Sequence, residues 1–298
     1  MRVDKPRPAA AGDMFTIGLG DSGYPPLLRE IHDPPPRLYL RGNPDLLLQP
    51  HLAIVGSRRA SAAGLRLARD IAAAVVGAGM VVCSGLALGI DGAAHRGALD
   101  GGGQTTAVLG TGVDTIYPRR HRALGEAIAA QGCLVSEFPP DTAPLPHNFP
   151  RRNRLISGIC LGTLVVEAAR PSGSLITASS AMEQGREVFA LPWSPLHAGG
   201  AGCLKLLREG AVMVTGVQDI LDELGAMGSC QHELLRVVAD QAVDPAAAAL
   251  LERIGFEAVG IDDLALSCGL PPGDLLPLLS RLEMAGAVQR APGGYIRV

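Results

Sequence analysis

The residues best suited to chemistry in this chain are arginines and small hydroxyl residues placed just after apolar runs. Arg58 follows Ala53–Val55 and the pair Gly56–Ser57. Pro150–Arg154 supplies three arginines and one asparagine, and Ser172–Ser174 follows another apolar run. The planar arginine fork suits phosphate oxygens, and the N–H groups at the start of a helix attract anions. These residue types predict a site for a phosphate-bearing ligand.

Four Gly- or Ser-containing segments each follow a run of Val, Ile and Leu. They are Ala53–Arg58, Val81–Asp91, Ala107–Gly112 and Leu164–Ala178. The apolar runs are continuous rather than alternating, which is typical of parallel strands buried on both faces. The carboxyl ends of such strands share one edge, where ligands bind. We therefore expect the four loops to converge on one crevice.

Each basic candidate has a functional and a plain structural interpretation. Arg58 either reaches into the crevice or forms a local salt bridge at the surface. Arg152, Asn153 and Arg154 either clamp a polyphosphate or belong to a solvated charged turn. Ser174 is predicted to be the N-cap of the helix behind it, and whether that helix start also holds an anion stays open.

The acidic residues and histidines give weaker signals. Asp91 is predicted to cap a helix that begins at Gly92, and His95 is predicted to be a packed histidine. Glu137 and Glu167 each end a strand and stand alone in sequence. If these two glutamates met in space, they would form the carboxylate pair of an enzyme.

Several catalytic and cofactor motifs are missing from the sequence. It contains no G-x-x-x-x-G-K-[ST], no H-E-x-x-H and no G-x-S-x-G, and no G-x-G-x-x-G follows the first strand. We therefore expect no cofactor, no metal site and no catalysis of these classes.

Charge is distributed unevenly along the 298 residues, although the net charge is only −3. Residues 50–160 contain 11 Arg against 7 Asp and Glu, whereas residues 226–298 contain 5 Arg against 9 Asp and Glu. Lys5 and Lys205 are the only lysines, so almost every basic residue is an arginine. This bias either serves phosphate binding or reflects genomic composition.

The compartment is predicted from the cysteines and from the apolar segments. The six cysteines show no zinc spacing, which is typical of buried thiols in a reducing cytosol. Met1–Ala10 is charged and Pro-rich, unlike a signal peptide. Ile71–Ile90 lacks charge but is interrupted by four glycines, so we expect no membrane span and a cytoplasmic location.

Strands and helices alternate along most of the chain. This predicts an α/β fold, a Rossmann-like, doubly wound, mostly parallel sheet with a small C-terminal winged-helix domain. Strands are predicted near Leu38–Leu40, Leu52–Val55, Met80–Cys83, Thr105–Leu109, Cys133–Ser136, Thr163–Val166, Glu187–Ala190 and Ala211–Val214. Helices are predicted at Ala62–Ala78, Gly92–Leu99, Arg122–Ala130, Leu175–Gln184 and Leu204–Arg208. In the tail, helices are predicted at Gln231–Asp240, Ile261–Ser267 and Gly273–Ala285, and a hairpin at Val288–Val298. The predicted divisions are a lead and Pro-rich extension (1–45), the sheet domain (46–225), a linker (Gly225–Ser229) and the winged helix (230–298).

Six segments carry a resemblance to a known family. They read Y-P-P-L-L-R-E-I-H-D-P-P-P, A-I-V-G-S-R, S-G-L-A-L-G-I-D-G-A-A-H, A-V-L-G-T-G-V-D-T-I-Y-P, F-P-R-R-N-R-L-I-S-G and V-V-E-A-A-R-P-S-G-S-L-I-T-A. In these segments the chain resembles the DNA processing protein A family, called DprA or Smf. The resemblance implies a homodimer that binds single-stranded DNA without much sequence preference. It also implies that the strand is handed to the RecA recombinase during natural transformation.

The same resemblance implies which residues contact DNA. They are Ser57, Arg58, Ser84, Gly85, Arg152, Asn153, Arg154, Gly173, Ser174 and Thr177. An alternative is a nucleotide-hydrolysing enzyme similar to the phosphoribohydrolases, which carry P-G-G-x-G-T where this chain has P-S-G-S-L-I-T. A further alternative makes the tail the DNA reader, but its acidic balance argues against duplex contact.

Overall fold

The computed structural model describes residues 14–225, 250, 253–254, 259–268, 271–284, 288–291 and 294–297. The chain divides into two compact units, one ending at Leu224 and the other beginning at Gly225. The predicted lead Met1–Gly12 and the predicted helix Gln231–Asp240 lie outside the described residues.

The first unit is built on a nine-stranded sheet. The strand order is β1-β2-β6-β5-β4-β3-β7-β8-β9. The strands from β3 to β9 run parallel, while β2 pairs antiparallel with both β1 and β6. The bounds are β1 Met14–Gly18, β2 Arg37–Gly42, β3 His51–Val55, β4 Val81–Ser84, β5 Thr105–Val108, β6 Cys133–Ser136, β7 Gly162–Val165, β8 Glu187–Ala190 and β9 Val212–Met213.

Helices cover both faces of the sheet. The bounds are α1 Pro26–Arg29, α2 Ala62–Gly77, α3 Ile90–Asp100, α4 Arg122–Gln131, α5 Asn148–Ile159, α6 Gly173–Glu183 and α7 Ala201–Arg208. Buried residues of α1, α5, α6 and α7 pack with one face of the strands. Residues of α2, α3 and α4 pack with the other face. The strands are buried on both sides, as their continuous apolar sequences predict, and the doubly wound fold is confirmed.

The N-terminal segment supplies one edge of the sheet. A strand was predicted near Leu38–Leu40, and β2 (Arg37–Gly42) contains it, whereas β1 was not predicted. β2 pairs with β6, with Tyr39 opposite Ser136. β2 therefore runs antiparallel to the parallel strands, and β1, which is antiparallel to β2, runs in the same direction as they do.

Helix α5 was not predicted, because its sequence resembles a loop. Pro150 interrupts the pattern and is followed by a dense basic run. Proline is tolerated in the first turn of a helix, where its missing N–H has no intrahelical partner, and Pro150 is the third residue of α5. The basic cluster therefore lies on a helix rather than in a charged turn.

The second unit contains the elements predicted for a winged helix. Helices run over Ile261–Cys268 and Pro272–Met284, and Val288–Ala291 pairs antiparallel with Gly294–Arg297. Leu264, Leu275, Leu279, Val288 and Tyr295 form its buried core among the described residues. The expected winged-helix class is confirmed.

The apolar segment Ile71–Ile90 folds as the end of α2, a turn and β4. Within the described part of the chain, no helix combines the length and the apolar character that crossing a membrane requires.

Candidate functional site

A cleft of about 630 Å³ opens at the carboxyl edge of the sheet, beside the neighbouring strands β3 and β7. The loop after β3 leads to α2 on one face, and the loop after β7 leads to α6 on the opposite face. The two loops therefore diverge, which leaves a crevice between them. This is the topological switch point at which open α/β sheets bind ligands.

The lining comes from five separate parts of the chain. It includes seven of the ten residues predicted to contact DNA: Ser57, Arg58, Arg152, Asn153, Gly173, Ser174 and Thr177. Gly56, Arg59, Ala87, Asp91, Phe149, Pro171, Ile176 and Gly199 also line it. The sequence thus predicted most of the polar lining, but not the apolar residues Phe149 and Ile176.

Arg58 stands at the surface of this cleft. Its side chain is exposed and pairs with no carboxylate among the described residues. The turn before it is fixed by backbone bonds, because the Ser57 N–H donates to the Glu167 carbonyl at 2.6 Å and the Ser57 carbonyl accepts from Ile90 at 3.2 Å. Gly89 has a φ of 79° and faces Ser57 so closely that a side chain would overlap the backbone. The arrangement supports the crevice interpretation of Arg58 over the surface salt bridge.

Arg152 lines the cleft as a buried cation. One guanidinium nitrogen, Nη1, donates to the Gly85 carbonyl at 2.8 Å and to the Val108 carbonyl. Burial lowers the pKa of Arg152 to about 10, while the nearby Asp91 acts in the opposite direction. Arg152 therefore stays charged at neutral pH and adds fixed positive potential to the cleft.

Asp91 does not cap a helix as predicted. Helix α3 begins at Ile90 with Gly89 in the N-cap position, where no side chain provides a cap. The Asp91 carboxylate instead accepts the N–H groups of Gly85 at 3.1 Å and Ala87 at 3.3 Å. Burial raises its pKa, and Arg152, those two N–H groups and Arg58 act in the opposite direction. Asp91 is the negative charge of an otherwise basic cleft.

Helix α6 starts at the cleft, but its N-cap is Ser172 rather than the predicted Ser174. The Ser172 hydroxyl accepts from the Ser174 N–H at 3.4 Å, and the two hydroxyls lie 2.7 Å apart. Two serines flank Gly173, so sequence chemistry alone did not separate them. Gly173 is exposed at the start of the helix, and the Asn153 amide donates to its carbonyl at 3.4 Å.

Three of the residues predicted to contact DNA do not line the cleft. Ser84 is fully buried and its hydroxyl donates to the Ile54 carbonyl at 2.6 Å. Gly85 lies beneath the Arg152 guanidinium. Arg154 forms ion pairs with Glu137 at 2.8 Å and Asp33 at 3.3 Å. The predicted three-residue clamp is therefore divided, and Arg154 is neutralised by carboxylates.

The two strand-end glutamates have different partners. Glu137 pairs with Arg151 and Arg154, whereas Glu167 accepts from Ser61 and faces His197. Neither glutamate lines the cleft. His95 is buried as the predicted packed histidine; its Nδ1 lies 2.8 Å from the Thr105 hydroxyl, and burial lowers its pKa to about 3. The two glutamates thus have separate partners among the described residues, which does not favour the carboxylate pair considered for an enzyme.

The loop after β5 was also expected at the crevice, but it does not line the cleft. The Gly110 carbonyl accepts the Asn148 amide at 3.1 Å, so this loop supports the start of α5. Phe149, the next residue, reaches the cleft and packs against Tyr117, with ring centroids 5.5 Å apart. The F-P-R-R-N-R segment was singled out in the sequence. Because helix α5 was not predicted, the sequence did not show that Phe149 lines the cleft.

The fold and the cleft define a Rossmann-like protein whose switch-point cleft is lined by three arginines and one aspartate. Comparison with known proteins narrows the class. The sequence model of the DNA recombination-mediator protein A family matches residues 15–225, and that of the DprA winged helix domain matches residues 237–294. The chain belongs to the DNA recombination-mediator protein A family.

Individual relatives agree with this assignment. Protein Smf of Escherichia coli (strain K12) is 43% identical over 280 residues, covering 92% of this chain and 75% of the relative. The X-ray structure of DprA from Streptococcus pneumoniae has a TM-score of 0.68 and 45% identity, covering 70% of this chain and 74% of that one. A Helicobacter pylori DprA structure, described by its single-stranded DNA binding mode, has a TM-score of 0.65 and 29% identity, covering 72% and 96%.

Proposed function

We propose that this protein binds single-stranded DNA in the cleft at the β3–β7 switch point, with little preference for sequence. The observation that carries the proposal is the convergence of Arg58, Arg152 and the start of α6 on one concave surface. Two guanidinium groups and a helix start are suited to successive phosphates of a nucleic acid strand.

The lining also accounts for weak sequence preference. Phosphate contacts orient a strand but carry no sequence information, which is read from base edges. The Asn153 amide is bonded to the Gly173 carbonyl. Phe149 and Ile176 offer apolar surface, and base stacking on such surface tolerates any base.

We further propose the biological setting that the family resemblance implies. A homodimer in the cytoplasm protects the incoming strand and loads the RecA recombinase onto it during natural transformation, without catalysing a reaction. The lengthwise similarity to Smf and DprA proteins supports these steps.

A titration of single-stranded against double-stranded oligonucleotides of equal length, at two salt concentrations, tests the binding proposal. We expect tighter binding of the single strand and an affinity that falls steeply with salt, with a log–log slope of about −0.7 per phosphate contacted. Equal affinity for the duplex, or an affinity independent of salt, contradicts the proposal.

Three further measurements test the setting. Light scattering gives the subunit number, and a RecA strand-exchange assay on strands coated with single-strand-binding protein tests loading. Incubation with nucleoside monophosphates tests the hydrolase alternative, because release of free base contradicts a non-catalytic role.

A further inference from the structure

Glu167 is the most completely enclosed carboxylate beside the cleft, and DNA binding as proposed above does not use it directly. It follows β7 and is 2% exposed. Its oxygens accept the Ser61 N–H at 3.2 and 3.1 Å and the Ser61 hydroxyl at 2.7 Å. Nε2 of His197 lies 3.3 Å from Oε1. A buried carboxylate needs such partners, because an unpaired buried charge is costly.

The partners of Glu167 belong to segments that build the cleft. Ser61 ends the loop that carries Arg58, and His197 precedes Gly199, which lines the cleft. The backbone of Glu167 contributes as well, since its carbonyl accepts the Ser57 N–H at 2.6 Å. One residue therefore joins the loops after β3, β7 and β8.

The segment carrying His197 is anchored beside Glu167 at a second point. Trp193 donates from its ring nitrogen to the Val166 carbonyl at 2.7 Å and packs on the His197 ring, with centroids 4.5 Å apart. Leu196, which lies between these two residues in the sequence, is 96% exposed. His197 Nε2 has no hydrogen-bond partner among the described residues, and the Glu167 carboxylate lies beside it at 3.3 Å.

The backbone of Gly199 lies directly against the Glu167 carboxylate. A methyl group at Gly199 would overlap Oε1 of Glu167, so the cleft-lining turn approaches the carboxylate as closely as a backbone can. A shift of Glu167 is therefore transmitted directly to Gly199 and, through Ser61, to the loop of Arg58.

We infer that Glu167 is a positioning residue of the cleft: it fixes Ser61 on one wall and His197 on the other, and so sets the spacing of the groups that hold the strand. The inference rests on the proposed DNA binding at this cleft. Glu167 does not itself contact the strand, and His197 docks the segment 193–200 as the third wall.

The experiment compares His197→Ala, Glu167→Ala and Glu167→Gln with the wild type. His32→Ala is the matched control, because His32 is exposed and does not line the cleft. Affinity for a fixed oligonucleotide is measured together with the thermal midpoint. The emission of Trp193, the only tryptophan of the chain, reports whether the segment stays docked.

We expect His197→Ala to weaken strand binding about tenfold, with a midpoint shift below about 2 °C and a red shift of Trp193 emission. Glu167→Ala should lose at least as much. Glu167→Gln should recover binding to within about threefold of the wild type, because its amide oxygen accepts from Ser61 and its amide nitrogen takes the place of Oε1 beside Nε2 of His197. A purely structural role does not predict this recovery.

Wild-type affinity in His197→Ala overturns the inference, as does a Glu167→Gln variant that binds no better than a folded Glu167→Ala. If Glu167→Ala does not fold, the oligonucleotide affinities of His197→Ala and His32→Ala are compared instead, and equal affinities overturn the inference. If Arg58→Ala loses strand binding and His197→Ala does not, the positioning role of Glu167 is rejected and the proposed function is not. Absence of binding by the wild type rejects the proposed function. In that case an unchanged Trp193 emission in Glu167→Gln and a shifted one in Glu167→Ala still support docking by Glu167, and any other pattern overturns it.

Discussion

Arg58 and Arg154 test whether the cleft decides which arginines contact DNA, because both were predicted to contact DNA and only Arg58 lines the cleft. Arg58 is exposed and has no carboxylate partner among the described residues. The Arg154 side chain is 16% exposed and is held by Glu137 and Asp33. We expect Arg58→Ala to impair strand binding and Arg154→Ala to leave the cleft contacts intact.

The size of the Arg58 effect follows from counterion release. Each phosphate neutralised on a single strand contributes about −0.7 to the log–log salt slope. At about 0.1 M salt, one lost contact therefore weakens binding about fivefold. Loss of a hydrogen bond to a charged group, worth about 1.5 kcal/mol, adds roughly tenfold more. Arg58→Ala should fall between these limits, about fivefold to fiftyfold weaker.

Fluorescence anisotropy with a labelled oligothymidylate at several salt concentrations measures both quantities. Arg58→Ala should lower the slope by about 0.7, and Arg58→Lys should keep the slope while losing part of the affinity, because lysine keeps the charge without the fork. Thermal unfolding of each variant checks that the fold is intact.

The outcome that refutes this reasoning is a reversal of the two arginines. If Arg154→Ala lowered the salt slope as much as Arg58→Ala, the ion pairs with Glu137 and Asp33 would not withhold Arg154 from the strand. If Arg58→Ala changed neither slope nor affinity, the cleft would not be the binding site.

Three further changes test the cleft and its support. A Cβ at Gly173 meets open space, so Gly173→Asp should be accommodated. It should weaken strand binding about tenfold by repelling phosphate. Gly173→Ala is the neutral control, and equal affinities of the two variants would argue against phosphate at α6. Because burial raises the Asp91 pKa, lowering the pH toward that pKa should protonate the carboxylate and tighten binding. Asp91→Asn should bind about fivefold tighter at pH 7 and flatten the pH profile on the acid side of neutrality, whereas a profile with the wild-type slope would exclude Asp91 as its source. Glu137→Ala should lower the free energy of unfolding by about 1–3 kcal/mol in urea, since it leaves Arg154 partly buried without its nearer carboxylate; an unchanged denaturation midpoint would show that Arg154 is solvated.

The strands of the sheet were predictable because burial on both faces leaves a continuous apolar signal in the sequence. β6 and β8 have the predicted bounds, and the others differ by one or two residues at their ends. β1 was missed because Met14–Gly18 lies at an edge and is only partly buried, so it lacks that signal. Helix α5 was missed because Pro150 resembles a helix breaker unless it is already known to lie in the first turn.

The site was predictable as a set of residue types, but not as a set of contacts. Arg58 and Gly173 follow strands directly, so the topology alone brings them to one edge. The neutralisation of Arg154 depends on Glu137, from the end of another strand, and on Asp33, from the N-terminal segment. No local pattern reports such pairings. The burial of Arg152 is likewise a property of the folded α5, which was not predicted.

The placement of the cleft between β3 and β7 has a consequence for how the protein acquires its activity. β3 ends at Val55 and β7 begins at Gly162, and three other strands are made between them. A chain still emerging from the ribosome lacks the wall that the loop after β7 and the start of α6 supply until these join the sheet. If the cleft binds single-stranded DNA as proposed, this capacity arises late, together with the completed sheet, and a bound strand should in return stabilise the finished fold against unfolding.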